Sequence, residues 1–284
     1  MKHDRVIALG FFDGVHLGHA ALLRLTRRRA DELGIPAAVL TFDTHPDTLV
    51  YHQPVPLINT LEDRKYLMEE KFSMDEVILA HFDRAMMEMP WEAFVEDYLL
   101  GELGAKHVVC GHDFSFGYRG QGTPDKLRRL CAQRGVGVNV VDKVSLGGIT
   151  VSSTHIRQLI RQGDMEAAAQ MLGHRHFLSG EVLHGKELGR RLGFPTANLA
   201  LPEGLIAPAY GVYATLVTLP DGSAHPAVTN VGVRPTVHDQ LGRLVEAWIL
   251  DCTAELYGEK IRVEFFTRLR GEKKFDSLEA LREE

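Results

Sequence analysis

The sequence predicts an α/β fold in two parts: a parallel sheet covered on both faces, followed by a small antiparallel β-barrel. Three observations carry this expectation. The chain has 284 residues, about the length of two ordinary domains. Its first part alternates short apolar runs with segments of helical period. Past about residue 175 the helical period fades, and strand-like runs follow one another with Gly, Pro and Asp between them. The expected domains are 1–174 and 175–284, joined near Leu172-Gly173-His174-Arg175.

The elements follow in order. Val6–Leu9 is a buried strand, and Leu17–Leu33 is a helix that buries leucines and stops at Gly34. Ala37–Phe42 is the second strand. Thr60-Leu61-Glu62-Asp63 caps a helix running to Glu70, and Glu76–Ala80 is the third strand. Pro90 stands at the first position of the next helix, ahead of Trp91, Phe94, Val95 and Tyr98. His107–Cys110 is a strand, Thr123-Pro124 opens a helix, and Val136–Val141 is the fifth strand. Continuous apolar strands separated by helices make a parallel sheet. Ligands of such sheets bind beyond the carboxyl ends of the strands. In the second part, Phe177–Val182, Gly211–Leu219, Ala227–Val233, Leu244–Leu250 and Lys260–Leu269 read as strands, and Asp276-Ser277-Leu278-Glu279 is a late capping box.

Apolar residues make up 45% of the chain and charged residues 25%, which excludes a disordered or fibrous protein. A net charge of −6 gives no overall attraction for nucleic acid or an acidic membrane. A few local cations and backbone N–H groups still suffice for small anions. The three cysteines, Cys110, Cys131 and Cys252, are far apart and form no C-x-x-C, which argues against a disulfide framework or zinc site. Met1–Arg5 leads into a strand with no signal-peptide core, and no apolar run approaches the ~20 residues of a membrane span. A cytoplasmic monomer or weak homo-oligomer is expected, with small-molecule substrates and neither nucleic acid nor membrane as partner.

The strand ends carry the chemistry. "GFFDGVHLGH" follows the first strand and places Gly10, Phe12 and Asp13 in a turn, then His16, Gly18 and His19 at a helix start. Unpaired N–H groups at a helix N-terminus attract phosphate, and Gly18 permits close approach. The imidazoles can donate to phosphate oxygens as charge builds in the transition state. The plain alternative is a tight strand-to-helix turn. "VSSTHIR" adds Ser153, Thr154 and Arg157 after the fifth strand, as hydroxyl donors and a fixed cation or simply as a well-capped helix. "GHDFSFG" holds Asp113 and two phenylalanines that either face a planar ring or pack the loop itself. In the second part, "HGKELGRRLGFPTAN" brings Gly185, Gly189 and Gly193 with Lys186 and Arg190 for phosphates, and Thr196 and Asn198 as hard oxygens for Mg²⁺. The spacing Gly180–Lys186 is no P-loop, because Glu187 stands where Ser or Thr belongs. Glu246, an acid inside the apolar run LVEAWILD, either has a task or points to solvent by strand alternation.

These segments, with GVYA, NVGVRPT and LYGEKIRVEFFTRLRGEKKFDS, resemble in this order the bifunctional bacterial riboflavin kinase/FMN adenylyltransferases over nearly the whole chain. The resemblance implies a Rossmann-like nucleotidyltransferase domain and a riboflavin kinase-like barrel. The barrel would phosphorylate riboflavin with ATP, and the first domain would transfer AMP from ATP to FMN, giving FAD and pyrophosphate. It further implies that His16, His19, Ser153, Thr154 and Arg157 serve adenylyl transfer with Mg²⁺, that Glu246 is the kinase base, and that Thr196 and Asn198 hold Mg–ATP. Gly185–Gly193 would cover ATP. His155 stands where Arg is frequent in that family, and Asp113 where some members have Asn. Two other readings compete: a nucleotidyltransferase for another phosphorylated acceptor, and a nucleic-acid or flavin-binding module without turnover.

Overall fold

The computed structural model describes residues 4–183, 196–232, 244–252 and 254–273. It divides into two compact units, Met1–Val55 with Leu61–Ser152, and Pro56–Thr60 with Ser153–Glu284.

The first unit is built on β1 (Arg5–Leu9), β2 (Ala37–Phe42), β3 (Glu76–Ala80), β4 (Ala105–Gly111) and β5 (Gly137–Val141). They pair in parallel in the order β3-β2-β1-β4-β5. Every residue of β2 is buried, as a central parallel strand requires, whereas β5 at the edge is only half-covered along its length. The chain works outward through β2 and β3, then returns to the far side of β1 to lay down β4. That reversal opens a crevice at the carboxyl ends of β1 and β4.

The helix α1 (Leu17–Leu33) buries Ala20, Leu23, Thr26 and Ala30, one stripe at helical spacing. Fully burying a side chain such as Leu23 stabilises by about 1.5–3 kcal/mol. Gly34 ends the helix at φ 67°, and its N–H donates to the Ala30 carbonyl. Two short helices, α2 (Pro46–Tyr51) and α4 (Arg84–Glu88), were not legible as helices. Between them α3 (Leu61–Tyr66) widens into a π turn over Leu67–Lys71. Next, α5 (Trp91–Ala93) does the same over Phe94–Glu102. Pro90 lies just outside α5 with an extended ψ of 143°, a correction to its expected place at the first helical position. Then α6 (Pro124–Gln133) is capped by the Thr123 hydroxyl, which accepts from the Lys126 N–H at 3.4 Å. The short hairpin β6 (Ser145–Leu146) and β7 (Ile149–Thr150) closes the unit.

The second unit, beyond its segment Pro56–Thr60, holds the helices α7 (Ser153–Gln162) and α8 (Met165–Leu172). Six strands follow: β8 (Phe177–Leu183), β9 (Thr196–Ala200), β10 (Gly211–Thr218), β11 (Ala224–Gly232), β12 (Leu244–Ile249) and β13 (Lys260–Arg270). They close into a barrel in the order β10-β11-β12-β9-β8-β13. Alternation is strict in β10, where every second residue is buried. The strand β9 departs from the sequence expectation, which singles out Thr196 and Asn198 there as ligands and assigns no strand. The predicted capping box at Asp276–Glu279 lies outside the described residues.

One buried group makes the second unit sensitive to acid. His176 is 0% exposed, neither ring nitrogen has a partner, and its ring stacks on Phe265 at 5.8 Å. Burial first, then nearby His174, pushes its pKa down from 6.5 to about 3. Between those values the unfolded chain binds a proton that the folded chain refuses, so stability falls with pH. Each pH unit in that window removes up to about 1.4 kcal/mol. Denaturant melts from pH 7 to pH 4 should show this slope, and His176→Leu should flatten it. An unchanged slope in the variant would assign the effect elsewhere.

Candidate active sites

The turn after β1 is held in an unusual backbone conformation. Phe12 and Val15 have φ of 61° and 41°, and Gly14 has φ of 78°. Positive φ at a β-branched residue is a strong outlier. The β-branched Val15 and the bulky Phe12 each cost about 1–3 kcal/mol, and strain of this kind concentrates at functional sites.

The strain delivers a specific pair of rings. His16 sits at the N-cap of α1 with ψ of 175°, and its Nδ1 accepts from the His19 N–H at 3.3 Å. With Nδ1 an acceptor, the proton of a neutral His16 is on Nε2. His19 lies on the first helical turn, and the two imidazoles stack at 3.6 Å with 13° between planes. Only His19 was correctly expected on that turn, since His16 caps it from outside. His16 is 7% exposed, and the enclosed Nδ1 of His19 has no partner. Burial, then His16, then Arg64, hold the His19 pKa well below 6.5, so it is neutral at pH 7.

The glycines make room for these rings. A Cβ at Gly18 would stand 3.0 Å from Cε1 and 3.1 Å from Nδ1 of His16. A Cβ at Gly10 would meet the Phe12 ring at 3.1 Å. Asp13 is 2% exposed within the same turn. Gly18→Ala therefore separates two effects. Alanine is favoured over glycine in a helix by about 1 kcal/mol, so the melting temperature should hold or rise. The His16 ring must move, so turnover at this turn should fall about tenfold or more. A variant with normal turnover would show that the stacked geometry is not needed.

Across the crevice, the loop after β4 carries Asp113, whose side chain is 83% exposed and 3.9 Å from His112 Nδ1. Its two phenylalanines differ in burial, Phe116 being enclosed and Phe114 half-buried. Phe116 is buried against Phe94 at 5.2 Å and Phe114 at 5.4 Å. In the second unit, Ser153, Thr154 and Arg157 occupy the start of α7, and Arg157 Nη2 donates to Thr154 Oγ1 at 3.4 Å. Gly185, Lys186, Gly189, Arg190 and Gly193 lie outside the described residues.

On the barrel, strand register gathers the remaining expected residues. Val245, Ala247 and Ile249 of β12 are buried, so Glu246 and Trp248 take the opposite, outer face. Strand alternation thus turns Glu246 away from the barrel interior. It lies opposite Asn198 of β9 on one side and Asn230 of β11 on the other, while Thr196 lies opposite Trp248. Residues paired this way have Cβ atoms about 4.5–5.5 Å apart. Asn198, Glu246 and Asn230 therefore form one polar row across three strands. Asn198 is 5% exposed, its Nδ2 donates to the Thr196 carbonyl at 3.3 Å, and its enclosed Oδ1 has no partner. An orphaned amide oxygen beside a hydroxyl and a carboxylate fits a hard divalent cation that completes its shell with phosphate oxygens and water. Among the described residues, no group of three or more His, Cys, Asp or Glu is placed to hold a metal without such help.

Residues 1–155 match the family described as FAD synthetase, and residues 172–284 match the family described as riboflavin kinase. The chain belongs to the bifunctional riboflavin kinase/FMN adenylyltransferase family. A member from Listeria monocytogenes is 37% identical over 98% of this chain and 88% of its own length. One from Haemophilus influenzae is 38% identical over 97% and 89%. A crystal structure described as a macrolide-efflux protein from Streptococcus pneumoniae has a TM-score of 0.86 at 30% identity, covering 99% of this chain and 91% of that one. Among the described residues no helix is long and apolar enough to cross a membrane. Both enzymatic domains of the family are present, so the chain is a transferase of FAD biosynthesis that acts on riboflavin, FMN and ATP.

Two residues that the structure brings beside these candidate sites carry no clear sequence signal. Asn230 was seen only as part of a strand-to-loop transition, although an Asn inside an alternating apolar strand was the available signal. Arg64 looked like one more charged residue of a capped helix, and nothing in its spacing announced that it is 0% exposed.

Proposed function

We propose that the two reactions of the family divide between the strained turn at the sheet's crevice and the polar row on the barrel. The adenylyl step belongs to the turn. A phosphate oxygen of FMN attacks the α-phosphorus of ATP, one P–O bond forms, and the bond to pyrophosphate breaks. The nucleophile is already an anion, so the task is alignment and charge stabilisation rather than proton removal. His16 and His19 donate to phosphate oxygens, and the α1 N-terminus adds its N–H groups. Gly10, Phe12, Asp13 and Gly18 shape that seat, with Asp113 across the crevice. Ser153, Thr154 and Arg157 supply further donors and a positive charge. The observation that carries this reading is the stacked His16–His19 pair, 3.6 Å apart at the switch in strand order.

The kinase step belongs to the row. A ribityl hydroxyl of riboflavin attacks the γ-phosphorus of ATP, and Glu246 takes its proton. Thr196 and Asn198 hold Mg²⁺, which supplies charge neutralisation of the ATP phosphates when bound. Gly185, Lys186, Gly189, Arg190 and Gly193 cover the nucleotide. Residues 1–174 serve the first reaction and 175–284 the second, supported by the change from helices to consecutive strands at Phe177. The three scattered cysteines support a cytoplasmic enzyme, a monomer or weak homo-oligomer, and the net charge of −6 supports one that works on free small molecules without nucleic acid. Incubation with riboflavin and ATP, resolved by chromatography, should show FMN and then FAD. Unchanged riboflavin would return the chain to a nucleotidyltransferase of another acceptor.

A further inference from the structure

Arg64 carries a fully buried guanidinium. It is 0% exposed in the last turn of α3, where burial pulls its pKa down to about 10 and the charges of Asp13 and Asp43 offset part of that. Burying a charge in this way is expensive unless its hydrogen bonds are met. They are met almost wholly by the strand ends that shape the turn. Nη1 donates to the Phe11 carbonyl at 2.6 Å and lies 3.4 Å from Thr41 Oγ1, and Nη2 donates to the Phe42 carbonyl at 3.1 Å. Nε has no partner. The guanidinium also covers the Phe11 ring at 4.1 Å, and His45 lies against the same ring at 4.5 Å. The second lone pair of the Phe11 carbonyl is taken by Thr41 Oγ1 at 2.9 Å.

One side chain thus grips Phe11 by backbone and ring together, immediately before the left-handed Phe12. A strained backbone persists only where its surroundings over-determine it. We infer that Arg64 is a positioning residue for adenylyl transfer: by fixing Phe11 between the ends of β1 and β2 it holds the turn that aligns His16 and His19. It is enclosed and does not touch substrate. The inference rests on the reading of the histidine pair given above.

The test uses the full chain with riboflavin phosphorylation and FMN adenylylation measured side by side. Arg64→Met should lower kcat for FMN adenylylation about 10²-fold, with KM for ATP within about threefold and riboflavin phosphorylation unaltered. Arg64→Lys keeps the charge and one donor to the Phe11 carbonyl and should recover at least about tenfold of that loss. A wild-type kcat in Arg64→Met overturns the inference. So does a loss confined to KM, or a lysine variant no better than methionine, since either points to binding or bulk packing. If Arg64→Met does not fold, Thr41→Val removes the other bond to the Phe11 carbonyl without a cavity. A kcat about tenfold lower there supports the inference, and an unchanged kcat overturns it. His19→Ala runs in parallel. If it retains FMN adenylylation, the reading of the site falls and this inference with it. If it loses activity beside an intact Arg64→Met, only this inference falls.

Discussion

Glu246→Ala is expected to abolish FMN formation from riboflavin while leaving FMN-to-FAD conversion intact. The ribityl hydroxyl is a poor nucleophile while it keeps its proton, and a positioned base contributes typically about 10²–10⁴-fold in rate. Glu246 is the acid in the row Asn198–Glu246–Asn230, so no neighbour in that row can replace it. The amides beside it suit a different task, since their N–H groups can orient a carboxylate but cannot take up a proton. Glu246→Gln sharpens the experiment because it keeps size and polarity while removing basicity. Both variants should lose riboflavin phosphorylation by about 10²–10⁴-fold, read as FMN formed per minute by chromatography. Feeding FMN in place of riboflavin should restore FAD at the wild-type rate. If glutamine supports normal phosphorylation, Glu246 is a packing or orienting residue and the base must be sought elsewhere. If FAD formation from FMN also disappears in folded protein, the two reactions do not divide as proposed.

The contrast between these sites explains what a sequence can disclose. The parallel sheet was legible because its strands are short apolar runs and the helices between them are bounded by glycine, proline or a cap, as at Leu33-Gly34 and Thr123-Pro124. The barrel was legible from alternation, except for β9. That strand is five residues long and begins at the Thr196-Ala197-Asn198 stretch, where ligand chemistry masks the period. Histidines 16 and 19 were legible as a pair, since three residues of helical spacing bring side chains together. Their stacking was not, because it depends on His16 leaving the helix at the cap and on a missing Cβ at Gly18. Register was harder still. The row of Asn198, Glu246 and Asn230 comes from three strands separated by up to about fifty residues, and pairing across a sheet leaves no local trace. Arg64 shows the same limit in another form. A buried charge on backbone carbonyls requires the ends of two strands to meet one helix, which is long-range information.

His19→Ala should give the reverse of the Glu246 phenotype, with riboflavin accumulating as FMN and little FAD following. In the free protein the His19 ring is neutral, because burial and the neighbouring His16 and Arg64 all oppose its charge. A nucleotide phosphate beside it changes that balance, since an anion favours both hydrogen bonding and protonation of the ring. The enclosed Nδ1 without a partner shows that the ring's present environment leaves one of its two polar atoms unmet. Removing a single pre-aligned donor at developing charge costs about 10²–10³-fold in kcat. Alanine also removes the stacking partner of His16, whose Nδ1 bond to the backbone N–H of residue 19 survives the substitution. The loss should therefore fall on kcat for FMN adenylylation by about 10²–10³-fold, while riboflavin phosphorylation continues at the wild-type rate. His19→Asn provides a check, because an amide can still donate a hydrogen bond without titrating near neutral pH. It should recover part of the lost rate. If alanine and wild type make FAD at equal rates, the stacked histidines are only a tight entry into α1, and the strain at Phe12 and Val15 has some other purpose.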